Sequence, residues 1–117
     1  MKKIYFGHPG DIDYQTLYDW IGASDIAKEN NIVLPHANGR HENTIQIIKT
    51  SDLFVAEVSR PSTGLGIELG IAFDHKIPIV CLYRLPAKPS MSLSYITPHV
   101  EKYADQEEFI ARIKKFL

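Results

Sequence analysis

The stretch "LFVAEVSRPSTGLGIELGIAFDHKIPIVCLY" occupies residues 53–83 and decides the fold. It opens on "LFVAEV" (53–58), rich in apolar and β-branched residues, as a strand is. It closes on "IPIVCLY" (77–83), continuously apolar, the pattern of a strand buried on both faces. Between the two, the sequence predicts a glycine-containing loop and then a helix from about Leu65 to His75. Strand, helix, strand in that order is the unit of a parallel sheet covered by helices.

The same alternation extends outward. "KIYF" (3–6) reads as the first strand, followed by the breaker "GHPGD" (7–11). Residues 13 to about 28 read as a helix, because Tyr14, Leu17, Tyr18 and Ile21 recur at helical spacing, and Gly22 offers a place for it to break. "NIVLP" (31–35) is a second strand, and 42–50 a helix with Ile45 and Ile48 turned inward. After residue 83 comes a proline-rich irregular segment with a helical turn near Leu93, then a short fifth strand in "HVEKY" (99–103). A last helix starts near Asp105, which with Glu108 resembles a capping box, and carries the stripe Phe109, Ile113 and Phe116. Five strands alternating with helices make a doubly wound α/β sandwich the default. In such sheets ligands bind beyond the carboxyl ends of the strands, where the strand order reverses. The loops after strands one and three would then line one crevice.

Bulk properties narrow the function. With 117 residues the chain has room for one domain, 1–117, and a core of its own. Thirteen basic residues against 14 acidic ones give a net charge of −1, which argues against a nucleic-acid partner or a polybasic membrane anchor. No segment has the apolar length to span a bilayer, and the apolar run near the N-terminus is too short for a signal peptide. The lone Cys81 cannot form an intramolecular bridge, and a cytoplasmic setting is expected.

Glu68 is the candidate of most interest. Gly64 and Gly66 would let the backbone turn and a ligand approach, placing Glu68 in the first turn of the helix. There the macrodipole favours an ionised carboxylate, suited to attack on an anomeric carbon. Equally, Glu68 is a favourable acid near a helix start. Ser62 and Thr63 make an anion site or an N-cap. His8 contacts a ligand or is a solvated turn residue, and Asp11 or Asp13 caps the first helix. Glu57 orients groups in the crevice or is solvated. The glycines form no dinucleotide fingerprint and there is no Walker lysine, so no nucleotide cofactor is expected. His36, His41 and His75 lack metal-site spacing, so no metal is expected either.

At this point "VAEVSRPSTGLGIELGIAF" (55–73), with "IYFG" (4–7) and "HENTIQIIKTSD" (41–52), resembles the nucleoside 2-deoxyribosyltransferase superfamily. The likeness is strongest to its 2'-deoxynucleoside 5'-phosphate N-hydrolase branch. The resemblance implies a flavodoxin-like, Rossmann-like three-layer sandwich with a five-stranded, mainly parallel sheet. It also implies cleavage or transfer at the N-glycosidic bond of a small-molecule nucleoside or nucleotide, with Glu68 as the nucleophile and a covalent glycosyl-enzyme. The substrate-binding set it implies is Gly7, His8, Thr44, Ser62, Gly64, Gly66 and Ser94. Ser62 stands where the hydrolases carry a phosphate-contacting serine. Ser94 corresponds to a serine that reaches a neighbouring subunit's site, which implies a homo-oligomer, a dimer or higher, with a shared active site. Two departures stand out. Thr44 occupies the position of an aspartate that handles protons at the leaving base; His41 and Glu42 are candidates to replace it. The first loop, "GHPGDID" (7–13), has two acids and no arginine. These departures keep open a second reading, a non-catalytic nucleotide-binding or interaction module on the same scaffold.

Overall fold

The computed structural model describes residues 1–37 and 43–117. Five strands, β1 (Lys3–Gly7), β2 (Asn31–Val33), β3 (Leu53–Glu57), β4 (Ile79–Arg84) and β5 (Val100–Tyr103), form one sheet in the order β2-β1-β3-β4-β5. Every pairing is parallel, so the sheet is wholly rather than mainly so. The order reverses between β1 and β3, where Gly7 pairs with Ala56, and there the two loops open side by side.

Side-chain alternation along the strands builds two cores. Ile4, Phe6, Leu53, Val55, Val80 and Leu82 point to one face. There they meet α1 (Tyr14–Gly22), α2 (Asp25–Glu29) and α5 (Gln106–Lys114) through residues such as Leu17, Ile26 and Phe109. Tyr5, Phe54, Ala56, Ile79 and Cys81 point to the other, against α3 (Thr44–Lys49) and α4 (Thr63–Asp74). Each fully buried Leu, Ile or Phe contributes about 1.5–3 kcal/mol of transfer free energy, which is why both faces are apolar.

Several boundaries moved for local reasons. The expected long first helix is two, because the chain breaks at Gly22–Ser24 and restarts at Asp25. Asp13 caps α1 by accepting from the backbone N–H and hydroxyl of Thr16 at 3.3 and 2.7 Å. In α3 it is Ile47 and Ile48 that pack inward; Ile45, expected to join them, is 38% exposed. The turn near Leu93 is a 3-10 helix, Met91–Tyr95. Asp105 caps α5 by accepting from Glu108 N–H at 2.9 Å, and Glu108 reaches back to Ala104 N–H at 2.8 Å.

His8 corrects an expectation. Its ring is buried, not solvated, and stacks on Tyr14 with centroids 4.6 Å apart. Nδ1 lies 2.8 Å from the Pro9 carbonyl, which only accepts, so Nδ1 carries the proton. Nε2 therefore accepts from Tyr18 O–H at 2.6 Å, and Tyr18 in turn accepts from His36 N–H at 3.1 Å. Burial holds the His8 imidazole below its usual pKa, so the fold keeps it neutral. The unfolded chain, with an ordinary histidine near about 6.5, binds the proton that the fold refuses. Stability is therefore expected to fall as pH drops below about 6.5. Denaturant midpoints measured from pH 8 to 5 should show this slope, and His8→Phe should flatten it; an unchanged slope in that variant would refute the assignment.

Candidate active site

The site is a cavity of about 490 Å³ at the carboxyl ends of β1 and β3, beside the point where strand order reverses. That volume suits a small-molecule ligand. Glu68 lies on its wall, half-buried. Two donors hold its carboxylate: Tyr5 O–H at 2.5 Å and Thr44 Oγ1–H at 2.6 Å, both on Oε2. Tyr5 comes from β1, Thr44 opens α3 and Glu68 belongs to α4, so three elements distant in sequence fix one carboxylate. Burial, reinforced by the hydrogen bond to Glu68, pushes the Tyr5 phenol well above its usual pKa, so it remains a donor.

The local reason for this placement differs from the sequence expectation. Helix α4 begins at Thr63, so Gly64 and Gly66 are helical residues rather than loop residues. Glu68 stands beyond the first turn, which contains no acid. The macrodipole account of its charge fails, since that effect fades within the first turn. Direct hydrogen bonds hold the carboxylate instead. Ser62 is the N-cap of α4; its Oγ accepts from Leu65 N–H at 3.2 Å while its side chain lines the cavity.

The other expected residues divide. His8, Thr44, Ser62 and Gly64 line the cavity together with Glu68. Gly7 is absent from its wall; a Cβ there would come within 2.8 Å of the Phe54 ring and 2.9 Å of Leu65, so close packing requires a glycine. Gly66 lines a neighbouring groove of about 370 Å³ between α4 and residues 88–96. Ser94 sits on the exposed 3-10 turn, where its hydroxyl donates to the Met91 carbonyl at 2.8 Å. Asp11 pairs with Arg60 at 2.9 Å, linking the two loops; both are exposed, and such a pair contributes little. His41 and Glu42 lie outside the described residues. Among the described residues no cluster of three His, Cys, Asp or Glu is placed to hold a metal, and no helix is long and apolar enough to cross a membrane.

Two titratable wall residues are not legible as such in the sequence. By its pattern Tyr5 is only a strand residue, although a buried phenol needs a hydrogen-bond partner. By its spacing His36 is notable only as a rejected metal ligand; in the fold it lines the cavity, its ring centroid 5.2 Å from that of His8.

No family model matches the chain. Individual proteins do. A Nematostella vectensis protein provisionally named 2'-deoxynucleoside 5'-phosphate N-hydrolase 1 is 52% identical over 44 residues, 38% of this chain and 30% of that protein. A Tetraodon nigroviridis 5-hydroxymethyl-dUMP N-hydrolase is 46% identical over 69 residues, 59% of this chain and 49% of that one. The chain thus spans from under a third to about half of the length of these relatives. Among solved structures, a Clostridium botulinum CMP N-glycosidase superposes with a TM-score of 0.69 at 20% identity, covering 97% of this chain and 99% of that one. A 2-deoxyribosyltransferase from Bacillus psychrosaccharolyticus gives 0.59 at 19% identity, covering 92% and 89%. The chain is similar in sequence to nucleotide N-hydrolases, and it shares its fold with an N-glycosidase and a deoxyribosyltransferase.

Proposed function

We propose that this protein cleaves or transfers the N-glycosidic bond of a (deoxy)nucleoside or its 5'-monophosphate through a covalent glycosyl-Glu68 intermediate. One observation carries the reading: a carboxylate held by two donors on the wall of a nucleoside-sized cavity at the switch point of the sheet. Tyr5 and Thr44 both bond Oε2, which leaves Oε1 as the more nucleophilic oxygen. Oε1 attacks C1', the C1'–O bond forms, and the C1'–N bond breaks with its electron pair leaving on the base nitrogen, which takes up a proton. Water then attacks C1', Glu68 departs as carboxylate, and the water gives up one proton, which restores the one taken by the base; with a second base in place of water, losing its N–H proton in the same way, the outcome is transfer. Glu68→Gln keeps the shape and removes the nucleophile. It should lower release of free base by several orders of magnitude across a panel of nucleosides and 5'-monophosphates, assayed with and without an acceptor base. Base release at the wild-type rate would sink Glu68. Ligand binding without any turnover in the wild type would favour the non-catalytic module.

In this reading Thr44 is no proton donor. Its hydroxyl orients the nucleophile. Tyr5 is committed to Glu68, and both ring nitrogens of His8 are taken up by Pro9 and Tyr18. His36 also lines the described wall, and a side chain in that place could hand a proton to the departing base. His36→Gln should cost about 10²–10⁴-fold in base release. The loss should be smallest for substrates whose base leaves readily without protonation. A uniform, minor effect would remove His36 from the reaction.

The site is completed by a second copy of the chain. Gly66, Gly70 and Phe73 form an outer stripe on α4 at i, i+4, i+7, with Phe73 52% exposed, and Met91 and Tyr95 stand 90% and 82% exposed nearby on the 3-10 turn. Exposed apolar surface of this kind is a docking feature. Dimerisation across it would let Ser94 reach the partner's cavity. Sedimentation should give a dimer, and Gly70→Arg should yield a monomer with impaired turnover; full activity as a wild-type monomer would exclude the shared site.

A further inference from the structure

A second carboxylate–tyrosine constellation lies across β3 from the first. Glu57, the last residue of β3, is 1% exposed. Its Oε1 accepts from Ser59 N–H at 2.6 Å. Its Oε2 accepts from Ser59 Oγ–H at 3.0 Å and from the hydroxyl of Tyr103. Ser59 has one hydroxyl proton and gives it to Glu57, so its oxygen is left to accept from Arg84 N–H, 2.8 Å away. Burial, with help from Glu57, pushes the Tyr103 phenol well above its usual pKa, which keeps it a donor. One buried carboxylate thereby gathers the ends of β3, β4 and β5, since Arg84 closes β4 and Tyr103 closes β5.

Ser59 starts the short link that runs through Ser62, the cap of α4, into the helix that bears Glu68. Glu57 does not line the Glu68 cavity; it borders a separate cavity of about 400 Å³ with Arg60 and Arg84. We propose that Glu57 is a positioning residue: its carboxylate clamps Ser59 and so sets the start of α4 and the placement of Glu68. The chemistry requires an acceptor-only group, because all three bonds arrive from donors. The two arms of the clamp have different jobs. The Ser59 arm fixes the link to α4, and the Tyr103 arm anchors the clamp to β5.

The proposal rests on the Glu68 reading for its catalytic meaning, but its geometry is testable alone. Three variants separate the arms: Glu57→Gln, an isostere that presents donors to donors; Ser59→Ala, which removes the link; and Tyr103→Phe, which removes only the anchor. Amide hydrogen exchange and NMR shifts of Leu65–Glu68 are measured, with global stability and base-release kinetics alongside. Glu57→Gln and Ser59→Ala should speed exchange at Leu65, whose N–H bonds Ser62, by about tenfold beyond any global loss. They should lower kcat by about tenfold with KM nearly unchanged. Tyr103→Phe should lower global stability and leave the α4 amides and kcat alone. Glu57→Asp, which keeps an acceptor, should recover part of the loss. If all three variants perturb the α4 amides only in proportion to lost stability, the clamp is a general strut and the proposal fails. If the amides respond as expected while the wild type releases no base, the positioning stands and the proposed reaction falls.

Discussion

Pairing of β1 with β3 is the constraint on which the site depends. Strand β1 lies second in the order β2-β1-β3-β4-β5, flanked by β2 and β3, with β3 at the centre of the sheet. Because all pairings are parallel, the ends of β1 and β3 open to the same side, and the chain must leave in different directions from each. The cavity is the space those departures leave. Tyr5 enters from β1, and its phenol meets a carboxylate on α4. That meeting requires α4 to pack on the Tyr5 face of the sheet, which Leu65, Leu69 and Ala72 secure through their burial against Phe54, Ala56 and Cys81.

The resulting electrostatics are local. Oε2 of Glu68 takes two short hydrogen bonds while the carboxylate stays half-exposed on a cavity wall. A group so placed is oriented without being sealed off. Glu57 shows the opposite solution, a carboxylate fully buried and bonded by Ser59 and Tyr103. Burying an ionic group costs several kcal/mol unless hydrogen bonds compensate, so such a group survives only where the donors are built around it. The two acids on either side of β3 thus differ in solvent access and in the donors built around them. The hydroxyl of Thr44 is committed in the same local way. A threonine offers one hydroxyl proton, and in this fold that proton is spent on Glu68.

Sequence reasoning reached the architecture because its signals are periodic. An apolar-rich run at 53–58 and a continuous one at 77–83, separated by a helix, leave little choice but a parallel sheet with helices on both faces. It singled out Glu68, Ser62 and Gly64, which do share the cavity, from glycine and hydroxyl content near a helix start. It misjudged how Glu68 is held, because the onset of α4 at Thr63 rather than Leu65 shifts the carboxylate beyond the reach of the helix dipole. It gave no sign of the close packing at Gly7, where the Phe54 ring and Leu65 occupy the space a side chain would need.

What the sequence determined by itself was the period of burial. Residues two apart along a strand share a face, so apolar content alone fixed which elements are strands and that both sheet faces are covered. What only the tertiary structure decided were the partners of the polar groups. Tyr5 and Glu68 are 63 residues apart, and Tyr103 and Glu57 are 46 apart. A hydrogen bond is specified by distance and direction in space, to within a few tenths of an ångström, and no local pattern encodes that. The sequence could therefore name an acid of interest, but only the folding of β1, α3 and α4 onto one another supplied the phenol and the hydroxyl that hold it.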